Sequence, residues 1–298
     1  MIAQAAPERQ SGTVRGICRI LVACSGTYGR FDNVGGPEKR RTMAENKQLG
    51  AILLVAAAGL AFWQFGDKDS DSTQTIDDKI TTVQLAGDRS DVTITVSDDD
   101  RTSVQEQRRY WLWKHGDAYS VDNGVLKLDG DCGWQCSADF EITVPRGTKV
   151  IGENGSGDLS VDGVAGVDAK SRSGKVELRD VEGDVKLDVT SGDVSATDLT
   201  GRFDVKANSG DIEAQGLKGG PVSVETTSGD IELSVADSTD IRAKGTSGDT
   251  EISAPGGDYK VTADTRHGEV ENQLGNNTNA AHTVNATTTS GDIELRTN

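Results

Sequence analysis

The sequence is poor in aromatic residues, methionine and proline. Aromatic residues make up 4% of the 298 residues, with 2 Met, 5 Pro and 3 His beside 36 Gly. Because large side chains are scarce while Val, Thr, Asp and Gly recur, the composition predicts β-strands joined by tight turns around a thin core of small aliphatic side chains. The net charge of −17 argues against nucleic acid as a partner, since a phosphate backbone is bound through Lys and Arg.

The sequence also lacks the short motifs of familiar catalytic sites. It contains no G-x-S-x-G, H-E-x-x-H or G-x-x-x-x-G-K-[ST] string. Gly155-Ser156-Gly157 does not open a dinucleotide loop, because position 160 is Ser. Two acids about 5 Å apart could hydrolyse a glycoside. Such enzymes usually bind the sugar rings with aromatic side chains, and beyond residue 150 the sequence has only Phe203 and Tyr259. We therefore predict a chain that is not an enzyme and needs no cofactor, with a polysaccharide-acting enzyme as the least favoured alternative.

One long apolar run, Leu49–Phe65, divides the chain into regions of opposite charge. Residues 1–66 hold eight Lys/Arg against four acids, a net +4, and the remaining residues hold 23 basic and 44 acidic side chains, a net −21. The run spans about 26 Å as a helix. The positive-inside rule then predicts a single-pass membrane anchor with a cytoplasmic N-terminus and an extracytoplasmic C-terminal domain. A cleaved signal peptide and a buried core helix are the alternatives.

The segments around this run suggest a domain order. Residues 1–48 form a basic tail, either disordered or, before Met43, not translated. An acidic linker, 66–79, follows the anchor. Residues 80–150 then read as a β lead-in or cap, and 151–298 as repeats. The aromatic-basic stretch 108–116 in the lead-in is either part of that cap or an exposed patch for lipid or glycan.

The cysteines fall into two close pairs. Cys18 and Cys24 lie in the basic tail and receive no role. Cys132 and Cys136 follow the predicted anchor, so an oxidising compartment favours a small disulfide loop between them. Free thiols and a metal site are the alternatives, and a metal would require two further ligands close by.

A repeat dominates the C-terminal half. The string TTSGDIEL occurs at 226–233 and again at 288–295. Aligned on Ser-Gly or His-Gly, eight units follow one another at intervals of 17 to 23 residues, and their turn glycines are Gly157, Gly174, Gly192, Gly210, Gly229, Gly248, Gly268 and Gly291. Each unit has two short stretches of alternating apolar residues, which indicates two strands per unit. The pattern predicts an all-β, β-helix-like solenoid of about eight coils of 18–20 residues. An antiparallel meander with hairpins at Ser-Gly-Asp is the alternative.

Stacked coils would align the acid that follows each turn glycine. This acidic edge contains Asp158, Asp193, Asp211, Asp230, Asp249 and Asp292, with Glu269 in register and Lys175 as an interruption. Asp in such turns hydrogen-bonds nearby backbone, so a purely structural role is one hypothesis. Calcium binding is the other, because a hard cation with oxygen ligands would relieve the repulsion.

The stretch from Cys136 to Thr148, CSADFEITVPRGT, followed by repeated G-D-[VI] units, resembles the putative-adhesin β-strand-repeat family, a domain-of-unknown-function family of Gram-positive envelope proteins. The likeness extends over about 80–298. It implies a β-solenoid ectodomain without assigned catalytic residues, acting in adhesion or envelope-stress sensing. We therefore expect an acidic edge that binds a cationic peptide, an envelope protein or a glycan. A structural module that docks into an envelope complex is the alternative.

Overall fold

The chain is described from a computed structural model, which covers residues 68–110, 118–130, 136–257 and 259–298. The predicted anchor, Cys132 with the side chain of Cys136, and most of the 108–116 stretch lie outside the described residues. No helix among the described residues is long and apolar enough to cross a membrane.

The described residues form strands joined by short corners. The strands are β1 (Lys68–Ile76), β2 (Thr82–Leu85), β3 (Val92–Ser97), β4 (Thr102–Tyr110), β5 (Tyr119–Asp122), β6 (Val125–Leu128), β7 (Cys136–Pro145), β8 (Lys149–Ser156), β9 (Leu159–Asp162), β10 (Val167–Ser173), β11 (Val176–Arg179), β12 (Val185–Ser191), β13 (Val194–Thr197), β14 (Phe203–Ser209), β15 (Ile212–Leu217), β16 (Val222–Ser228), β17 (Ile231–Val235), β18 (Ile241–Lys244), β19 (Thr250–Ala254), β20 (Tyr259–His267), β21 (Val270–Asn272), β22 (His282–Ser290) and β23 (Ile293–Thr297).

The strands form two sheets with one hydrophobic core. Sheet A has twelve strands in the order β1-β4-β7-β3-β9-β11-β13-β15-β17-β19-β23-β21, and sheet B has eleven in the order β20-β22-β18-β16-β14-β12-β10-β8-β2-β6-β5. From β8 onward each unit contributes one strand to sheet B and the next to sheet A, and equivalent strands pair in parallel. The predicted solenoid is confirmed and the meander is wrong, because Ser-Gly-Asp is a corner between two sheets and not a hairpin turn.

Like residues stack on like residues in the core, as the repeat predicts. In sheet B, Val185 is paired with Phe203 and Phe203 with Val222, and all three are at most 2% exposed. Because alternate residues of a strand point to opposite sides, one side of each strand fills the core and the other faces solvent. The described core contains few large side chains; Tyr259, Phe140 and Phe203 are the largest that are fully buried.

The stack contains ten two-stranded coils within the described residues, because the lead-in supplies two coils beyond the eight repeat units. Coils β2–β3 and β6–β7 pair in parallel with each other and, through β2 and β3, with β8 and β9. Antiparallel strands then close this end, with β5 beside β6, β4 beside β7, and β1 beside β4.

The spatial order of the coils departs from the chain order at both ends. Coil β22–β23 lies between β18–β19 and β20–β21, and coil β2–β3 lies between β6–β7 and β8–β9. The eight repeat units therefore do not stack in sequence order, because the last two exchange places. The inward residues explain the exchange: the inserted coil has Ile293 and Leu295 at the positions where the end coil has Val270 and the polar Asn272.

Candidate functional site

The Ser-Gly-Asp corner depends on glycine for two reasons. Gly229 has φ +132°, a backbone conformation that side chains rarely allow. A Cβ at Gly229 would also lie 2.1 Å from the carbonyl oxygen of Gly210 in the preceding coil. The other predicted turn glycines occupy equivalent corners, with φ between +113° and +158°, and at each a Cβ would lie 2.0–2.2 Å from a carbonyl oxygen of the neighbouring coil.

The aspartate after the corner glycine binds the backbone of the next coil. The Asp249 N–H donates to Oδ1 of Asp230 at 2.8 Å, and the Asp230 N–H donates to Oδ1 of Asp211 at 2.9 Å. Four further pairs form the same bond at 2.8–3.0 Å. In each pair the backbone N–H of the first residue donates to Oδ1 of the second: Asp211 to Asp193, Asp292 to Asp249, Glu269 to Asp292 and Lys175 to Asp158. These side chains form an Asp ladder that ties successive corners together with charge-assisted hydrogen bonds.

Two members of the Asp ladder lie in the lead-in and were missed in the sequence. The Asp158 N–H donates to Oδ1 of Asp91 at 2.8 Å, and the Asp91 N–H donates to Oδ1 of Asp139 at 3.1 Å. Neither aspartate follows a Ser-Gly pair, so alignment on glycine could not find them. The usable signal was an Asp placed immediately before an alternating apolar stretch, as in Asp91-Val92-Thr93-Ile94.

A second acidic row runs beside the Asp ladder on the outer surface of sheet A. It is formed by the residues that come two positions after the acids of the Asp ladder. Residues two apart in a strand point to the same side, so both rows face solvent. In five successive coils this residue is glutamate, and the strand register pairs each with the next: Glu213, Glu232, Glu251, Glu294 and Glu271. Neighbouring strands are about 4.8 Å apart, so this Glu row places five like charges in direct register.

One basic residue contacts the Glu row among the residues that the structure describes. Arg296 is bound to both Glu294 and Glu251, and its Nη2 lies 2.6 Å from Oε2 of Glu294. The hydrogen bond to Glu294, helped by the neighbouring negative charges, raises the pKa of the Arg296 guanidinium above its ordinary value. The position two residues after Glu213, Glu251 and Glu271 holds Gln215, Ser253 and Gln273, so the Glu row keeps a strong net negative charge.

The outer surface of sheet B is arranged in the opposite way. One register row there alternates in charge over six coils: Glu153, Lys170, Asp188, Lys206, Glu225 and Lys244. Lys244 is bound to Glu225, and that hydrogen bond lowers the pKa of the Glu225 carboxyl. The row two residues earlier alternates in the opposite phase through Asp168, Lys186 and Asp204. We call this outer surface of sheet B the alternating face, because most of its charged residues lie beside an opposite charge on the neighbouring strand.

Metal binding by the acidic edge stays a prediction. Within the described ranges no group of three or more His, Cys, Asp or Glu side chains is arranged to hold a metal ion. The Asp ladder has a structural function in every coil where its hydrogen bond is formed, whereas the Glu row has no comparable backbone bond among the described contacts. The Glu row, rather than the Asp ladder, is therefore the candidate binding surface.

The chain matches one protein family and has distant neighbours among solved structures. The model of the family described as Toastrack DUF4097 matches residues 73–296. A "putative adhesin" of Parabacteroides merdae is 14% identical, covering 76% of this chain and 96% of its own, with a TM-score of 0.42. A "putative adhesin" of Bacteroides fragilis is 14% identical over 76% and 97%, with a TM-score of 0.40. A "putative cell adhesion protein" of Clostridium sporogenes is 12% identical over 78% and 100%, with a TM-score of 0.28. No curated protein matches the chain.

The matched segment begins within β1, ends within β23 and contains the coil stack, the Asp ladder and the Glu row. It confirms the family resemblance that the repeated G-D-[VI] units and the 136–148 stretch indicated. The chain belongs to the Toastrack DUF4097 family.

Proposed function

We propose that this chain is a non-catalytic binding protein of the cell envelope, held at the membrane by Leu49–Phe65, whose Glu row binds a lysine- or arginine-rich segment of a partner protein. The observation that carries the proposal is the unbroken register of five glutamates on sheet A. Like charges directly opposite each other on neighbouring strands are destabilising. A bound basic segment would relieve that repulsion.

The alternating face of sheet B supports the same conclusion. It belongs to the same coils and obeys the same register, yet there acids and bases alternate. The coil geometry therefore does not require like charges to stack. Adhesion, which the family resemblance implies, is compatible with a long surface that recognises charge rather than a small pocket.

Binding of a fluorescent oligolysine peptide tests the site. The full-length protein in detergent micelles should bind the peptide, with an affinity that falls as salt is raised, because exposed charges are screened. Replacing Glu232 and Glu251 together by Gln should weaken binding about tenfold, since two charges of the surface that attracts the peptide are removed. Fluorescence anisotropy measures the affinity.

A matched pair of changes on the other face provides the control. Asp188→Asn with Glu225→Gln removes the same formal charge from the alternating face and should leave the affinity unchanged. Equal losses from both double variants would mean that the peptide senses only net charge, which contradicts the proposal. Failure of the wild-type protein to bind would also contradict it.

Topology is tested separately on whole cells. Thr297, an exposed residue at the end of β23, can be replaced by Cys and probed with a membrane-impermeant thiol reagent, with the unmodified chain as the background. We expect labelling in intact cells. Labelling that occurs only after lysis would place this domain in the cytoplasm and reject the envelope assignment.

A further inference from the structure

The two ends of the coil stack are closed differently. At the C-terminal end, β20 and β21 form the last coil, and its inward side chains are incompletely covered. Val261 is half-buried, whereas Val284, its register partner in the inserted coil, is 0% exposed. Val270 is 44% exposed, whereas its partner Ile293 is 1% exposed. The last coil therefore leaves apolar surface open at the end of the stack.

A loop covers only the first half of the β20 edge. Oδ1 of Asn276 accepts a hydrogen bond from the Val261 N–H at 3.2 Å, and the Asn277 N–H donates to the Tyr259 carbonyl at 2.8 Å. Among the described contacts, no loop residue makes a comparable hydrogen bond to the edge backbone of Ala263–His267 or of β21, although the side chain of Asn272 in β21 donates to the Gly275 carbonyl in the loop. Such an edge is a template for another strand, and its five uncovered residues are enough to pair with the three-residue strand β21.

The charges of the last coil differ between its two strands. The exposed side chains of β20 include Lys260, Asp264, Arg266 and His267, with a net positive charge. The β21 side carries Glu269 and Glu271, both exposed. The sheet B edge is therefore basic and the sheet A edge is acidic.

We propose that this end docks against the same end of a second copy of the chain, with β20 of each copy beside β21 of the other. A two-fold axis that runs parallel to the strands at the end of the stack produces this arrangement. Rotation about it points the stack of the second copy in the opposite direction and places sheet B of one copy in line with sheet A of the other. The chain reverses at the corner between β20 and β21, so the strands that meet are antiparallel and can form a ladder. The interface is isologous and closes after two copies.

Charge selects this arrangement over the other two-fold pairing. If β20 met β20 and β21 met β21, Glu271 would lie near its own copy on the acidic edge, and like charges opposite each other are destabilising. With the edges exchanged, Arg266 lies beside the acidic edge that carries Glu271, and opposite charges across strands are stabilising. The exposed Val270 of each copy is covered at the same time. The inference does not depend on peptide binding by the Glu row.

Charge reversal tests the pairing in the full-length protein. Sedimentation velocity in detergent should show a wild-type dimer that dissociates on dilution. Arg266→Glu makes both edges acidic, and Glu271→Lys places a lysine beside Arg266 of the other copy, so each variant alone should be monomeric at concentrations where the wild type is dimeric. Mixed in equal amounts, the two variants should form a heterodimer, because each edge then meets its opposite.

Glu213→Lys is the matched control, since it makes the same change at the far end of the Glu row and should leave the dimer intact. A monomeric wild type at tens of micromolar would overturn the proposal, as would a dimer that persists in either single variant. Two monomeric variants that do not combine on mixing would overturn the exchanged pairing. Recovery on mixing also shows that both variants are folded.

Discussion

The outer surfaces of sheet A and sheet B belong to the same coils but arrange charge in opposite ways. On sheet B, Lys206 lies between Asp188 and Glu225, and the signs continue to alternate along the row. On sheet A, Glu232 lies between Glu213 and Glu251. Parallel register places equivalent residues of neighbouring coils about 4.8 Å apart. A charged residue that recurs at one position of the repeat therefore lies beside a like charge, unless the sign of the charge alternates from coil to coil. The alternating face stabilises the stack, and the Glu row opposes it.

The corner glycines join the two sheets in every coil, so we expect the largest loss in the free energy of unfolding when one of them is replaced. Gly229→Ala places a Cβ 2.1 Å from the Gly210 carbonyl oxygen at φ +132°. Backbone strain and overpacking each cost about 1–3 kcal/mol, so we expect the free energy of unfolding to fall by about 4 kcal/mol. Denaturant titration followed by circular dichroism measures the loss.

Gly257→Ala separates the two causes. Gly257 has a similar φ of +124°, but a Cβ added there would have no other atom within 4 Å. Only backbone strain remains, so the expected loss is about 1–2 kcal/mol. Equal losses at the two positions would show that the close approach between coils contributes nothing.

Giving each face the charge pattern of the other should change the free energy of unfolding in opposite directions, by less than the loss at a corner glycine. Glu232→Lys introduces alternation into the Glu row and should raise the free energy of unfolding by about 0.5–1 kcal/mol, whereas Lys206→Glu introduces a run of like charges into the alternating face and should lower it by a similar amount. Thermal unfolding at low salt measures both. Changes of the same sign would refute the comparison, and both effects should shrink at high salt.

The smallest expected effect is the pH dependence of one ion pair. Lys244 lowers the pKa of Glu225 below its ordinary value of 4.5, so the pair stabilises the fold above that value and the contribution is lost as the pH falls through the lowered pKa. The Glu225 side chain is 46% exposed, so screening limits the contribution to a few tenths of a kcal/mol. Glu225→Gln should therefore destabilise slightly at pH 7 and by less at pH 3. A loss of the same size at both pH values would exclude the ion pair as its cause.

The repeat in the sequence predicted the coil in considerable detail. In TTSGDIEL, Ile231 and Leu233 of the first copy and Ile293 and Leu295 of the second all face the core and are at most 1% exposed. The glycine before each pair lies at a corner between the sheets. These features follow from local rules, because alternation sets the inward side and positive φ selects glycine. They could therefore be recognised without any tertiary contact.

Other features involve contacts that no local pattern contains. Asp91 and Asp139 belong to the Asp ladder through hydrogen bonds to residues of neighbouring coils, but their corners lack the Ser-Gly pair that defined the alignment. The Glu row was not recognised either, because its members become neighbours only when coils stack in register. In the sequence Glu232 and Glu251 are simply two acids that each lie between two apolar or small residues.

The sequence by itself determined the unit of this protein, a strand, a glycine corner and a second strand with one apolar side. Only the tertiary structure decided the order in which the units stack. The two TTSGDIEL copies, in the fifth and eighth repeat units, lie on opposite sides of the same coil, β18–β19. The reason is burial: each coil has two faces to cover, so the coil with the more apolar inward residues takes the interior place and the more polar coil forms the end.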